Sequence, residues 1–117
     1  MRVNEVNFST GLPVDGYGAG FFRINGARYD GPIAMWGDTV HAWGGYEDVE
    51  TLRAAAAELD VLFVGTGAEM EYLPSAFTEA MTEAGVAIEP MTSPTACRTY
   101  NVLLSEGRRV GLAVLPV

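Results

Sequence analysis

The chain has 117 residues and a mass of 12.5 kDa, with 49% apolar and 19% charged residues. That length suits one domain whose core buries roughly two-thirds of the surface the unfolded chain exposes. Fifteen acidic residues stand against seven basic ones, all of them Arg, for a net charge of −8. A chain of that sign repels phosphate backbones and anionic bilayers, which argues against a general nucleic-acid binder and against a peripheral membrane binder.

The first 46 residues hold 9 of the 14 glycines, and short apolar or alternating runs sit between turn signals. This is the rhythm of short strands. Gly16-Tyr17-Gly18-Ala19-Gly20 reads as a flexible stretch, and Phe21 to Ile24 reads as a strand. Asn25-Gly26 is a two-residue hairpin signal, because both residues tolerate the positive φ of a type I′ turn. Ala27 to Asp30 is its return strand. Ile33 to Trp36 is a further strand, Gly37-Asp38 a turn, and Thr39 to Trp43 an alternating strand that ends at Gly44-Gly45. Residues 1–46 are therefore expected to form an antiparallel meander.

From residue 47 the period lengthens to about 3.6. Val49, Leu52, Ala56 and Leu59 recur at helical spacing behind Glu47, Asp48 and Glu50, acids that the positive end of a helix dipole favours. Val61 to Val64 is wholly apolar, as a strand buried on both faces is. Pro74 suits the first turn of a helix carrying Phe77, Ala80, Met81 and Ala84 on one face, with Gly85 as its cap. Val86 to Glu89 is the next strand. Ser93 is expected to cap a helix with Pro94 at its first position and Gly107 past its end. Val110 to Leu115 closes the chain as an apolar strand. Residues 47–117 thus read as α-β-α-β-α-β, with a parallel crossover between Val61 and Ile88. A single domain over residues 1–117 is the expected organisation.

Candidate sites are few. One cysteine, Cys97, cannot form an internal disulfide, and one histidine, His41, leaves too few ligands for a structural zinc. No metal or cofactor is expected. Met1 to Val6 shows no apolar signal-peptide run, and no stretch approaches 18 apolar residues, so a soluble cytoplasmic protein is the expectation. Gly65-Thr66-Gly67 follows a buried strand, where backbone N–H groups can cradle an anion. Glu69 and Glu71 stand just beyond it and would repel one; a plain tight turn is the alternative. Cys97 is the fourth residue of its helix with Arg98 beside it, which favours a thiolate. It also lies on the apolar stripe with Tyr100 and Leu104, where a free Cys is normally buried and inert. Thr99 and Asn101 flank that stripe and could line a pocket or make local hydrogen bonds. Asp38 or Asp15 could orient His41 as a base, or His41 could simply be a strand residue. No catalytic constellation emerges.

Leu62 to Gly67, Gly85-Val86 with Ile88-Glu89, and above all Thr95-Ala96-Cys97-Arg98-Thr99-Tyr100-Asn101-Val102-Leu103-Leu104 followed by Glu106 to Val110 resemble the Mth-domain family of small single-domain proteins. Gly18 to Ile24 before Asn25-Gly26 is similar as well. The resemblance implies a three-layer α/β fold: a mixed central sheet, flanking helices and an N-terminal antiparallel β layer. It implies that the last strand runs antiparallel to its neighbours. It carries no enzymatic activity; the best-understood branch assists assembly of respiratory complex I by binding other proteins. The positions matching the family motif are Gly65, Thr66, Gly67, Cys97, Arg98, Thr99, Tyr100, Asn101 and Gly107, and all of these except Gly107 become the candidate binding residues.

Two functions follow. One is a protein-binding adaptor or assembly factor, whose acidity calls for a basic surface on its partner. The other is a small-molecule binder or enzyme, with its site between the Gly65–Gly67 turn and the Cys97–Asn101 helix at the carboxyl ends of the parallel strands.

Overall fold

The computed structural model describes residues 11–117; Met1 to Thr10, with the stretch read for a signal peptide, lie outside the described residues. Strands β1 (Val14–Gly18), β2 (Phe21–Ile24) and β3 (Ala27–Asp30) form an antiparallel three-stranded sheet in that order. Phe22 and Ile24 are buried while Arg23 between them is exposed, so only one face of this sheet packs on the core. The β2–β3 turn has φ of 52° at Asn25 and 81° at Gly26, both positive as a type I′ hairpin requires. Gly16 to Gly18, expected to be flexible, are instead the end of β1. A Cβ at Gly18 would collide with the Phe21 ring, so the missing side chain makes room for the aromatic.

The second sheet contains β4 (Ile33–Trp36), β5 (Thr39–Ala42), β6 (Val61–Gly65), β7 (Ile88–Met91) and β8 (Val110–Val114), in the order β5-β4-β8-β6-β7. The first 46 residues are therefore not one meander: β4 and β5 leave the small sheet and join the large one. The reason is burial. All four residues of β4 are buried, a pattern that only a strand covered on both faces satisfies. The last strand was expected to run antiparallel to its neighbours. β8 does so against β4 (Ile33↔Val114) but runs parallel to β6 (Val61↔Val110), which makes the sheet mixed. β6 and β7 are parallel, as the crossover reading requires.

Helices α1 (Val49–Arg53), α2 (Ser75–Ala84) and α3 (Ser93–Ser105) complete the α-β-α-β-α-β order. α1 is shorter than its periodicity suggests. After Arg53 the chain winds through bonds three residues apart, Ala55 N–H to Leu52 and Glu58 N–H to Ala55, which puts Leu52 and Ala55 together in the core. β7 starts two residues later than expected. Val86 belongs to the end of α2: Gly85 is left-handed, and the Val86 N–H bonds to the Met81 carbonyl at 2.9 Å. The cap of α3 is Thr92 rather than Ser93, with its hydroxyl accepting from the Thr95 N–H.

Strand alternation divides the core between the faces of the central sheet. Ile33, Met35, Phe63, Leu112 and Val114 meet Phe22 and Ile24 of the small sheet and Ala96, Cys97, Tyr100 and Leu104 of α3. Ala34, Trp36, Leu62, Val64 and Ala113 meet Leu52 of α1 and Phe77 and Met81 of α2. This is a three-layer α/β arrangement. No helix among the described residues is long and apolar enough to cross a membrane.

Candidate functional site

The Gly65-Thr66-Gly67 turn does meet the start of α3, but it meets it closed. The Ser93 hydroxyl accepts from the Gly67 N–H at 2.9 Å and donates to the Leu115 carbonyl, and the Ser93 N–H donates to the Gly67 carbonyl at 2.8 Å. A Cβ at Gly65 would lie 2.6 Å from the Ser93 Oγ and 2.8 Å from the Ser93 Cα. Thr66, buried, donates its hydroxyl to the Glu69 carbonyl at 2.7 Å and accepts from the Glu71 N–H. The next helix begins only at Ser75, so the turn does not open directly onto a helix N-terminus.

The α3 residues divide. Tyr100 is fully buried and donates its hydroxyl to the Leu12 carbonyl at 2.7 Å. Asn101 accepts from the Val14 N–H at 2.8 Å and donates to the Val14 carbonyl at 2.9 Å, pairing with the first residue of β1 as a strand would. Cys97 is buried, and burial pushes its thiol up to about 12, so it is protonated and a poor nucleophile at neutral pH. Burial, with Cys97 beside it, also raises Tyr100. Arg98 is exposed and Thr99 half-buried. Cys97, Arg98 and Asn101 line one side of a hollow of about 260 Å³, with Val14 and Tyr17 of β1 opposite. Of the eight candidates, five lie along this helix, and the three of the turn join it through Ser93.

His41 stacks on Trp36 with ring centroids 4.5 Å apart. Of the two acids named as possible orienting groups, Asp15 accepts from the Gly26 N–H at 3.0 Å and Asp38 from the Thr39 hydroxyl at 3.2 Å.

A larger hollow, about 810 Å³, opens elsewhere, where β6 and β8 end and β4 begins. Pro32, Pro74, Ala76 and Leu115 line it together with Tyr46 and Phe77, whose rings lie 5.2 Å apart. Trp43 stands edge-on to Tyr46 at 5.9 Å and donates its indole N–H to the Asp48 carbonyl at 3.0 Å. Burial and the nearby Glu71 carboxylate raise the Tyr46 hydroxyl above its ordinary value. Asp48 binds the rim together, accepting from the Gly44 N–H at 2.9 Å and the Thr51 hydroxyl at 2.7 Å. The Thr51 bond leads in holding its carboxyl below the usual range.

A family model described as a protein of unknown function (DUF498/DUF598) matches residues 14–115. The chain belongs to this family. An uncharacterized protein of Rhodobacter capsulatus is 45% identical over 117 residues, covering 100% of this chain and 94% of its own length. The NADH dehydrogenase [ubiquinone] 1 alpha subcomplex assembly factor 3 of Rattus norvegicus is 34% identical over 93% of this chain, which spans 63% of the rat protein's length. Among solved structures, a Mth938-like domain of Bordetella pertussis superposes with a TM-score of 0.73 at 28% identity, over 99% of this chain and 91% of that one. One described as an outer membrane protein of Bartonella henselae superposes with a TM-score of 0.80 at 29% identity, over 93% and 98%.

For this DUF498/DUF598 chain the sequence pointed to the α3 block and missed the larger hollow. Its walls come from four separate segments, and no contiguous motif marks it. The available signals were the Gly44-Gly45 break, Pro74, and the aromatics Trp43, Tyr46 and Phe77 at the ends of elements.

Proposed function

We propose that this chain works by binding proteins, as an assembly factor for a respiratory NADH dehydrogenase. The observation that carries the reading is the larger hollow, a concavity walled by apolar and aromatic side chains. The motif's polar groups on Thr66, Tyr100 and Asn101 are meanwhile engaged by the chain's own backbone. The rat relative, named as an assembly factor, adds support. The test is deletion of the gene in a bacterium that carries it. Assembled NADH dehydrogenase, read on a native gel, falls and is restored by the wild-type chain; an unchanged amount overturns the reading.

A small-ligand site has one observation of its own, the hollow of about 260 Å³ beside Cys97, Arg98 and Asn101. Thermal stabilisation by a small carboxylate or phosphate, abolished in Arg98→Ala, would favour it over protein binding. The cytoplasm is the proposed compartment, on the buried, unpaired Cys97 thiol. Fractionation tests it, and recovery of the chain in salt-washed membranes would contradict it.

A further inference from the structure

We propose that the hollow where β6 and β8 end docks an extended segment of a partner protein in which apolar side chains alternate with Arg or Lys. This rests on the protein-binding reading and names its site and the chemistry of its partner. Three observations carry it.

The walls are apolar, and their volume, about 810 Å³, is large enough to accept several side chains. Further apolar groups are exposed on the loop whose Glu71 carboxylate acts on Tyr46. The loop leading to Pro74 carries Met70, 53% exposed, and Tyr72, 100% exposed, on either side of Glu71. A small molecule would leave that strip uncovered, whereas an extended segment covers both.

The charge on this surface has one sign. Glu47 lines the hollow, Glu71 lies close enough to raise the Tyr46 hydroxyl, and Glu69 stands on the same loop. No Arg lines it. Among the described residues, Arg23 and Arg28 lie on the small sheet, Arg98 on α3, Arg108 and Arg109 between α3 and β8, and Arg53 pairs with Glu50. An acidic segment meets repulsion here. A basic one places its charges against Glu47, Glu69 and Glu71, and its alkyl stems and cations over Tyr46 and Tyr72.

The test uses the purified full chain and two synthetic peptides. One alternates Leu and Phe with Arg; the other has Glu in place of every Arg. Amide NMR shifts and fluorescence anisotropy are read for the wild type, for Ala76→Arg, which puts a cation on the exposed wall, and for Thr82→Arg, which adds the same charge on α2 away from the hollow. The Arg peptide is expected to shift Tyr46, Ala76, Phe77 and Leu115 and to bind at least about tenfold more weakly to Ala76→Arg but not to Thr82→Arg, with affinity falling as salt rises. No binding, equal binding of both peptides, shifts confined to other surfaces, or equal loss in the two variants would overturn the proposal. The readout needs no cell, so failure here leaves the deletion experiment intact, and failure there leaves this one intact.

Discussion

The two faces of the central sheet are closed by different means. Against one face, α3 is tied to distant backbone: Tyr100 to Leu12, Asn101 to both polar groups of Val14, and Ser93 to Gly67 and Leu115. Against the other, α1 runs only from Val49 to Arg53, and the cover stops short of the sheet end, leaving a hollow floored by Tyr46 and Phe77. The face that carries the recognisable motif is thus the locked one, and the open face carries none. A polar signature can record how a fold is fastened as well as where it works.

The largest effect that tests this contrast comes from alkali. Folded Cys97 holds its proton to about 12 against an ordinary value of 9.0. The unfolded thiol releases its proton first, so the stabilisation is complete below pH 9 and is lost as pH rises toward 12, about 4 kcal/mol over the whole window. Denaturant midpoints measured from pH 8 to 12 should fall, and Cys97→Ala should flatten the first part of that fall, before the unfolded Tyr100 phenol ionises. A wild-type midpoint that stays level would show the α3 face to be less sealed than described.

Next is Ser93→Ala, which leaves the Gly67 N–H and the Leu115 carbonyl without their partner. Stranding the buried Gly67 N–H and the half-buried Leu115 carbonyl together should cost about 2 kcal/mol by chemical denaturation. On the open face, Asp48→Ala removes the cap of α1 and the tie to Gly44, and should cost about 1 kcal/mol. Asp48 is also held below its ordinary value, so the stability it adds is present above the unfolded carboxylate value of 3.8 and is lost as pH falls through its lower folded value. Smallest is Ala76→Arg, an exposed change on the hollow's wall, expected to stay within about 0.5 kcal/mol of the wild type. A larger loss in Asp48→Ala than in Ser93→Ala would reverse the comparison.

Local signals were enough for the Asn25-Gly26 hairpin, the apolar β6 and β8, and an α3 bounded by Pro94 and Gly107. They were not enough for β4, whose pairing partner lies about 80 residues away in β8; a four-residue run does not say which sheet it joins. The same limit hid the role of Ser93. At a helix start its hydroxyl reads as a cap, yet its partners are remote strand ends. Asn101 was marked as a candidate, but its bonds to Val14 span 87 residues and no spacing rule announces them. The eight candidate residues were located on the right elements, while the hollow assembled from loop ends was not foreseen.

The proposed division of labour, with the open face binding the partner and α3 fastening the fold, is tested most directly by complementation of the deletion strain with wild type, Ala76→Arg and Thr82→Arg, each shown to melt like the wild type, with assembled NADH dehydrogenase read on a native gel. Wild type and Thr82→Arg are expected to restore assembly, and Ala76→Arg is expected not to. Full restoration by Ala76→Arg would contradict that division.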